Sequence, residues 1–232
     1  MSSKPKPTAR PEIVRLDLNA QVYEAIKARL LTREFGGGQK ISLQTLADQL
    51  GVSRSPVHHA LTRLTTEGFV NSEPRGYVVR PLSAILMDEL YEARLALELY
   101  AADVTVGNVS DADLEQFNAL LEETITPVRG KKMTDPARYI HANRAFHEFQ
   151  VDLAQNSTIS EMYRRLCIFQ LQERALLVQG VDAAGGSSRE HRAIVRGYER
   201  GDLAAVRRAL RANLETGKRI SRAAIEHAGG VI

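Results

Sequence analysis

Residues 42–64, SLQTLADQLGVSRSPVHHALTRL, decide the fold of the first part of the chain, because they have the pattern of two short helices joined by a tight turn. Gly51 can end the first helix, since a residue without a Cβ adopts positive φ at little cost. Ser53 is a favourable N-cap, and Pro56 lies in the first turn of the second helix. Apolar residues recur at the i, i+3, i+4, i+7 spacing of a buried helix face in both halves: Leu43, Leu46, Ala47 and Leu50, then Val57, Ala60, Leu61 and Leu64.

The outer face of the second helix begins with Ser53, Arg54, Ser55 and His58. Short donors and a guanidinium at the positive end of a helix suit a phosphate or a guanine edge in a DNA major groove. The spacing alone is equally compatible with a helical hairpin inside some larger domain.

The stretch that follows, FVNSEPRGYVVR (residues 69–80), contains two short β-prone runs around a turn signal. A hairpin directly after a recognition helix is typical of the wing of a winged helix-turn-helix. Arg75 and Gly76 would lie at its tip, where an Arg can meet the negative potential of a minor groove. Upstream, an apolar stripe of Val22, Ile26 and Leu30 predicts a further helix over about 18–33.

The charge distribution divides the chain. Residues 1–80 hold 12 Lys and Arg against 7 Asp and Glu, which leaves 19 against 21 for residues 81–232 out of totals of 31 and 28. A basic first module on a mildly acidic remainder is expected when only the first part contacts phosphates. The sequence predicts a flexible basic tail over 1–14, a winged helix-turn-helix domain over 15–80 and a helical domain over 81–232.

Composition limits the remaining possibilities. The start of the chain lacks the apolar core of a signal peptide, and no run approaches the ~18 apolar residues of a membrane span. The single cysteine, Cys167, lies in a helical pattern, cannot form an intrachain disulfide and is interpreted as a buried thiol. The sequence is therefore typical of a cytoplasmic protein without a membrane partner.

From Pro81 onward every long segment has helical periodicity, with no convincing alternating strand. The chain is therefore predicted to be mostly α, with its second part a six-helix antiparallel bundle. The predicted helices run near 83–106, 110–125, 135–155, 158–179, 188–200 and 202–227.

Polar residues lie on the inward-facing stripes of this bundle. Asn143 and His147 are four residues apart and project together, His191 is one turn into the fifth helix, and Asn213 is in the middle of the last. These side chains could converge on a ligand or metal in the bundle core. Each also has a structural explanation, because buried His residues are usually hydrogen-bonded and helical Asn residues are often exposed.

The chain as a whole resembles a known family over roughly residues 16–225. GVSRSPVHHALTRLTTEGFV followed by GYVV is similar to the DNA-binding domain of GntR-type bacterial repressors. The markers ARLALELYAA, NRAFH, AQNSTI and EHRAIVRGYERGDLAAVRRALRAN resemble the FCD effector domain of the FadR-like subfamily, with six helices as in its VanR-type branch.

This resemblance implies roles for specific residues. Arg94 would face the carboxylate of a small organic-acid effector, and Glu98 matches a structural Glu. The family's ligands for a divalent metal (zinc, nickel or manganese) fall at Asn143, His147, His191 and Asn213, which would also line the effector site. The matched contacts to double-stranded DNA are Gln44, Ser53, Arg54, Ser55, His58, Arg75 and Gly76, with Arg63 as a phosphate contact.

Two departures from the family pattern matter. Asn143 replaces the usual Asp and Asn213 the usual last His, so the set keeps two strong nitrogen ligands and two weaker amide oxygens. A metal held by this set could take an anionic effector as a further ligand. Alternatively, the site holds no metal and binds an organic anion directly. His58-His59 stand where Arg-Glu is common, so base readout should differ from the family's usual operator.

The resemblance implies a homodimeric repressor that presents two winged modules to a pseudo-palindromic operator and is released by its effector. The competing interpretation is a metal-dependent hydrolase, but no Asp or Glu is placed by motif as a general base, so the sequence predicts no enzyme. A purely architectural or dimerisation protein without a small ligand is the third interpretation.

Overall fold

The computed structural model describes residues 18–129, 132–169, 171 and 184–232, and over these the chain is mostly helical, as predicted. The predicted tail over 1–14 lies outside the described residues, as do 172–179 of the predicted fourth bundle helix. No helix of the described part is long and apolar enough to cross a membrane.

The first part is a winged helix-turn-helix. Its elements in order are α1 (Leu18–Leu31), β1 (Lys40–Ile41), α2 (Leu43–Leu50), α3 (Arg54–Thr66), β2 (Val70–Glu73) and β3 (Gly76–Val79). The three strands form an antiparallel sheet in the order β1-β3-β2, and Tyr77 on β3 pairs with Ile41 on one side and Ser72 on the other. The sequence missed β1, because two residues after a glycine run show no alternation.

The helix-turn-helix forms for the local reasons that its sequence indicates. Ser42 caps α2 by accepting a hydrogen bond from the Thr45 N–H, and Gly51 ends it with φ 66°. Ser53 occupies the N-cap of α3, but its side chain makes no capping hydrogen bond. The apolar faces of α1 and α3 meet in one core, whose fully buried members include Ile26, Leu30, Val57, Ala60, Leu61 and Leu64.

The second part is a helical bundle. Its helices are α4 (Ala84–Thr105), α5 (Asp111–Ile125), α6 (Pro136–Asp152), α7 (Ser157–Arg165), α8 (Ala184–Glu199) and α9 (Leu203–His227). Ser110 and Asp113 form a reciprocal capping box at the start of α5, and Asp135 and Asp202 cap α6 and α9. An aromatic group around Phe117, with Phe146 at 4.7 Å and Tyr198 at 5.3 Å between ring centroids, fills one half of the core.

Three predictions in the bundle were wrong. The helix predicted over 158–179 ends at Arg165, because Cys167 adopts φ 53°, which a continuous α-helix does not allow. The helix predicted over 188–200 begins earlier, at Ala184. A short hairpin of β4 (Val128–Arg129) and β5 (Lys132–Met133) also lies where only a helix break was predicted.

Candidate functional site

The outer face of α3 is open to solvent. Ser53, Arg54, Ser55 and His58 are all exposed, and Arg75 lies exposed at the turn between β2 and β3. Gly76 begins β3 with φ 126° and pairs with Glu73, so a side chain here would be strained. The geometry is that of a recognition helix beside a wing.

Two of the residues that were predicted to contact DNA, Arg54 and Gln44, are hydrogen-bonded to each other. The Nε of Arg54 donates a hydrogen bond to Oε1 of Gln44, and Nε2 of Gln44 donates to Oδ1 of Asp48 at 2.7 Å. Gln44 therefore orients the guanidinium of Arg54 at the start of the recognition helix.

Arg63 has intramolecular partners. Its Nε donates to Oε1 of Glu67 at 2.9 Å, and its guanidinium lies 3.7 Å from the centroid of the Tyr23 ring. The Tyr23 hydroxyl donates to the other oxygen of Glu67 at 2.6 Å. The negative charge of Glu67 beside its guanidinium would weaken the attraction of Arg63 for a phosphate.

A buried ion pair forms the centre of the second candidate site. On α4, Nε of Arg94 donates to Oε1 of Glu98 at 2.6 Å, and the two side chains are 2% and 0% exposed. The Tyr163 hydroxyl of α7 donates to the same oxygen at 2.6 Å. Phe169 covers the pair, with its ring centroid 4.7 Å from the guanidinium carbon of Arg94.

The charges of this pair stabilise each other. Burial opposes ionisation of Glu98, but the positive charge of Arg94 and the hydrogen bond from the Tyr163 hydroxyl outweigh it and lower its pKa to about 2. Burial likewise opposes the charge on Arg94, yet Glu98 holds the pKa of Arg94 above its usual value. The site therefore contains one fixed positive and one fixed negative charge.

Two histidines meet beside this pair. Nε2 of His147 on α6 lies 3.1 Å from Nε2 of His191 on α8, and both rings are fully buried. Burial and the nearby Arg94 lower the pKa of His147, while burial, His147 and Arg94 lower that of His191 well below its usual value. Both rings are thus neutral, and one Nε2–H donates to the lone pair of the other.

The remaining predicted site residues lie around these histidines. Asn143 is buried one turn before His147, and Asn213 of α9 is buried within hydrogen-bonding reach of the His147 ring. The Asn213 amide also donates to Glu190 at 3.4 Å. Nδ1 of His147 lies 3.2 Å from Oε1 of Glu98, but without the alignment of a hydrogen bond.

Several polar atoms of the cluster lack partners. Within the part of the chain that the structure describes, no hydrogen bond reaches Nη2 of Arg94, Oε2 of Glu98, Nδ1 of His147, Oε1 of Gln150 or Nδ1 of His191. Buried polar atoms are almost always paired, and an unpaired one costs about 1–3 kcal/mol. So many in one cluster are typical of a ligand site and atypical of a purely structural network.

The two imidazoles are close enough to share one metal ion. A metal with bonds of ~2.0–2.1 Å holds two nitrogens roughly 3.0–3.4 Å apart, depending on the bond angle. The 3.1 Å between the two Nε2 atoms fits this range without large movement. Among the residues described, however, no group of three or more His, Cys, Asp or Glu side chains is arranged to hold a metal. Any metal would therefore need amide or ligand oxygens to complete its coordination.

The structure brings Arg94, His147, His191 and Asn213 together, with Asn143 on the same helix as His147. The sequence missed Gln150, Tyr163, Phe169 and Glu190 as members of this cluster, and it treated Glu98 only as structural. The spacing of Gln150, three residues after His147, and of Glu190, next to His191, was available as a signal. Nothing local indicated Tyr163 or Phe169, which follow from the tertiary fold.

A recognition helix beside a wing, joined to a helical bundle, defines the class of winged-helix DNA-binding regulators. Residues 18–79 match the family model described as bacterial regulatory proteins, gntR family, and residues 89–216 match the FCD domain. The chain belongs to the GntR family and carries an FCD domain.

Relatives and solved structures agree with this assignment. The HTH-type regulator YdhC of Bacillus subtilis is 29% identical over 175 residues, covering 75% of this chain and 77% of YdhC. McbR of Escherichia coli is 27% identical over 154 residues, covering 66% and 68%. The gluconate operon transcriptional repressor of Bacillus subtilis is 27% identical over 144 residues, covering 62% and 58%.

Two solved structures share the fold. E. coli McbR/YncC has a TM-score of 0.66 at 23% identity, covering 89% of this chain and 97% of that one. Lar, which controls the expression of the Listeria monocytogenes agr system, has a TM-score of 0.67 at 20% identity, covering 88% and 96%. The protein is a DNA-binding transcriptional regulator of the GntR/FCD type, and its families and relatives are regulators rather than enzymes.

Proposed function

We propose that this protein is a dimeric repressor whose affinity for its operator is controlled by a small carboxylate bound in the buried polar cluster. The observation that carries the proposal is the cluster itself, since its unpartnered donors and acceptors surround a buried guanidinium. One relative is the gluconate operon transcriptional repressor, which supports repression rather than activation by this protein. Light scattering with and without DNA tests the dimer.

For DNA, the proposal assigns base and phosphate contacts to Gln44, Ser53, Arg54, Ser55, His58, Arg75 and Gly76. Exposure of the α3 face and the fixed orientation of Arg54 support this assignment. Arg63 remains a weaker candidate, because binding would have to compete with its pairing to Glu67.

We expect Arg54→Ala to weaken binding to an operator duplex at least tenfold, because a good bidentate contact to guanine contributes ~1–3 kcal/mol. The measurement is fluorescence anisotropy at fixed salt. Arg196→Ala, which removes an exposed arginine from α8, is the matched control and should leave Kd within twofold. Equal affinity of the Arg54 variant and the wild type would contradict the assignment.

For the effector, the proposal places its carboxylate against Nη2 of Arg94. This nitrogen belongs to a buried, charged guanidinium and has no acceptor among the described residues. The Nε of the same side chain already donates a hydrogen bond to Glu98. A ligand without an acceptor would leave that donor unsatisfied, which is costly in a buried site, and a carboxylate forms a stronger, charge-assisted hydrogen bond with a guanidinium than a neutral oxygen does.

His147 and His191 would hold a divalent metal, with Asn143, Asn213 and the effector as further ligands. Zinc, nickel and manganese are the candidates. The distance between the two Nε2 atoms and the neutral state of both rings favour this, because a metal binds unprotonated imidazole. A bound metal would add positive charge and strengthen the preference for an anion.

Elemental analysis of protein purified without a His-tag or chelator tests the metal. We expect near-stoichiometric metal per protomer that is lost in the His147→Ala, His191→Ala double variant. His141→Ala removes an exposed histidine from the same helix and is the control. If the wild type binds no metal after soaking with zinc, nickel or manganese, the cluster binds an organic anion directly through Arg94.

A further inference from the structure

We propose that Cys167 and Phe169 form a strut that connects the buried polar cluster to the end of the recognition helix. The strut, residues 167–169, would transmit the occupancy of the cluster to the DNA-binding domain. The inference rests on the proposed function for what it transmits, but the mechanical connection itself can be tested separately.

One end of the strut is a wall of the cluster. The Phe169 ring is 5% exposed and stacks 4.7 Å from the guanidinium carbon of Arg94. Its centroid lies 6.2 Å from the ring of Tyr163 and 6.3 Å from that of His147. A group that binds Arg94 must therefore be accommodated against this ring, or must move it.

The other end contacts the DNA-binding domain. The Cys167 Sγ donates a hydrogen bond to the carbonyl oxygen of Thr66, the last residue of α3, at 3.4 Å. A Cβ placed on Gly68 would lie 2.7 Å from the Cβ of Cys167, so the Gly68 backbone lies close against the Cys167 side chain. Cys167 itself has φ 53°, a conformation that persists in a non-glycine residue only when its surroundings impose it.

Only Ile168 separates these two ends, and it is 1% exposed. A displacement of Phe169 would be passed on to Cys167, because close-packed interiors transmit small shifts instead of damping them. Helix α3 has 13 residues and is thus roughly 20 Å long, so a tilt of about 5° at Thr66 would move Arg54 by roughly 2 Å. A shift of that size breaks hydrogen bonds to base edges.

The test uses Cys167 as its own reporter, because it is the only cysteine in the chain. Burial raises the pKa of its thiol, so reaction with Ellman's reagent should be slow in the wild type. We expect Phe169→Leu to increase the rate at least tenfold and to change operator Kd at least fivefold. Phe149→Leu, a partly buried ring on the α5–α6 side of the bundle, is the control and should leave both within twofold.

A second pair of variants approaches the strut from the DNA-binding side. Gly68 and Gly107 both have left-handed φ, of 77° and 86°, but a Cβ at Gly107 meets nothing within 4 Å. Backbone strain is therefore similar in the two alanine variants, and only Gly68→Ala presses on Cys167. We expect Gly68→Ala to increase the thiol rate and change operator Kd at least fivefold, and Gly107→Ala to do neither.

The proposed strut would be contradicted if folded Phe169→Leu and Gly68→Ala variants had the same thiol reaction rate and the same operator Kd as the wild type. If circular dichroism shows that one variant is unfolded, the other decides. Failure of the wild type to bind any operator would contradict the proposed function instead, and the thiol rates would still test the mechanical connection.

Discussion

Glu98→Gln should destabilise the bundle strongly, because it removes the charge that balances Arg94 while keeping the shape of the side chain. Both residues are buried, so Arg94 cannot recover the lost interaction from water. The Tyr163 hydroxyl can still donate to the new amide oxygen, so the variant isolates the loss of charge from the loss of a hydrogen bond.

The pKa of Glu98 gives the magnitude. Its decrease from an ordinary value of 4.5 to about 2 corresponds to about 3 kcal/mol at neutral pH, at about 1.4 kcal/mol per pH unit. Breaking a buried ion pair generally costs about 3–5 kcal/mol, which agrees. Because the pKa is lower in the folded state, this stabilisation is complete above pH 4.5 and is lost as the pH falls towards 2.

Urea unfolding followed by circular dichroism at 222 nm measures the effect. We expect the variant to be about 3 kcal/mol less stable than the wild type at pH 7, and this difference in stability to fall by about half at pH 3. Glu123→Gln, which breaks an exposed ion pair with Arg138, is the control and should cost less than about 1 kcal/mol.

A Glu98→Gln variant within 1 kcal/mol of the wild type would refute this reasoning. So would a difference in stability that does not change between pH 5 and pH 3, because the loss would then not come from the carboxylate charge.

Two further predictions concern single contacts. Tyr163→Phe should lower the free energy of unfolding by about 2 kcal/mol, the contribution of a hydrogen bond to a charged group. It should also move the acid-induced loss of stability to higher pH, because Glu98 loses a donor that stabilises its charged form. An unchanged acid transition would contradict the assignment of Tyr163 as this donor. Gly51→Ala should cost about 1 kcal/mol in urea unfolding, because the turn requires φ 66°, whereas Gly36→Ala, with open space and no positive φ, should cost nothing measurable.

The helix-turn-helix was predictable because its determinants are local. The apolar spacing, the left-handed Gly51 and the cap positions all lie within residues 42–64, and they agree with one another. The prediction of one continuous helix over 158–179 was wrong because the determinants of that segment are not local. Apolar periodicity continues through Cys167, and its left-handed backbone accompanies contacts with Thr66 and Gly68 that are about a hundred residues away in sequence.

The candidate site was predictable to the extent that its residues share a helix. Asn143 and His147, and Arg94 and Glu98, are four residues apart, so each pair must project together. The meeting of His147 with His191 depends on how α6 and α8 come together in the tertiary fold. The inward-facing positions of the two residues and the resemblance both indicated it, but neither gave the distance between them. Phe169 follows a helix break that periodicity does not reveal, so its contact with Arg94 required the structure.

Selection of duplex DNA from a random library by the full chain tests the central claim most directly. We expect enrichment of an inverted repeat whose half-sites lie about one helical turn apart, because a two-fold dimer presents two recognition helices. We also expect this enrichment to disappear when the Arg54→Ala variant is selected in parallel. No enriched sequence with the wild type, or the same sequence with the variant, would contradict the claim that this helix reads an operator.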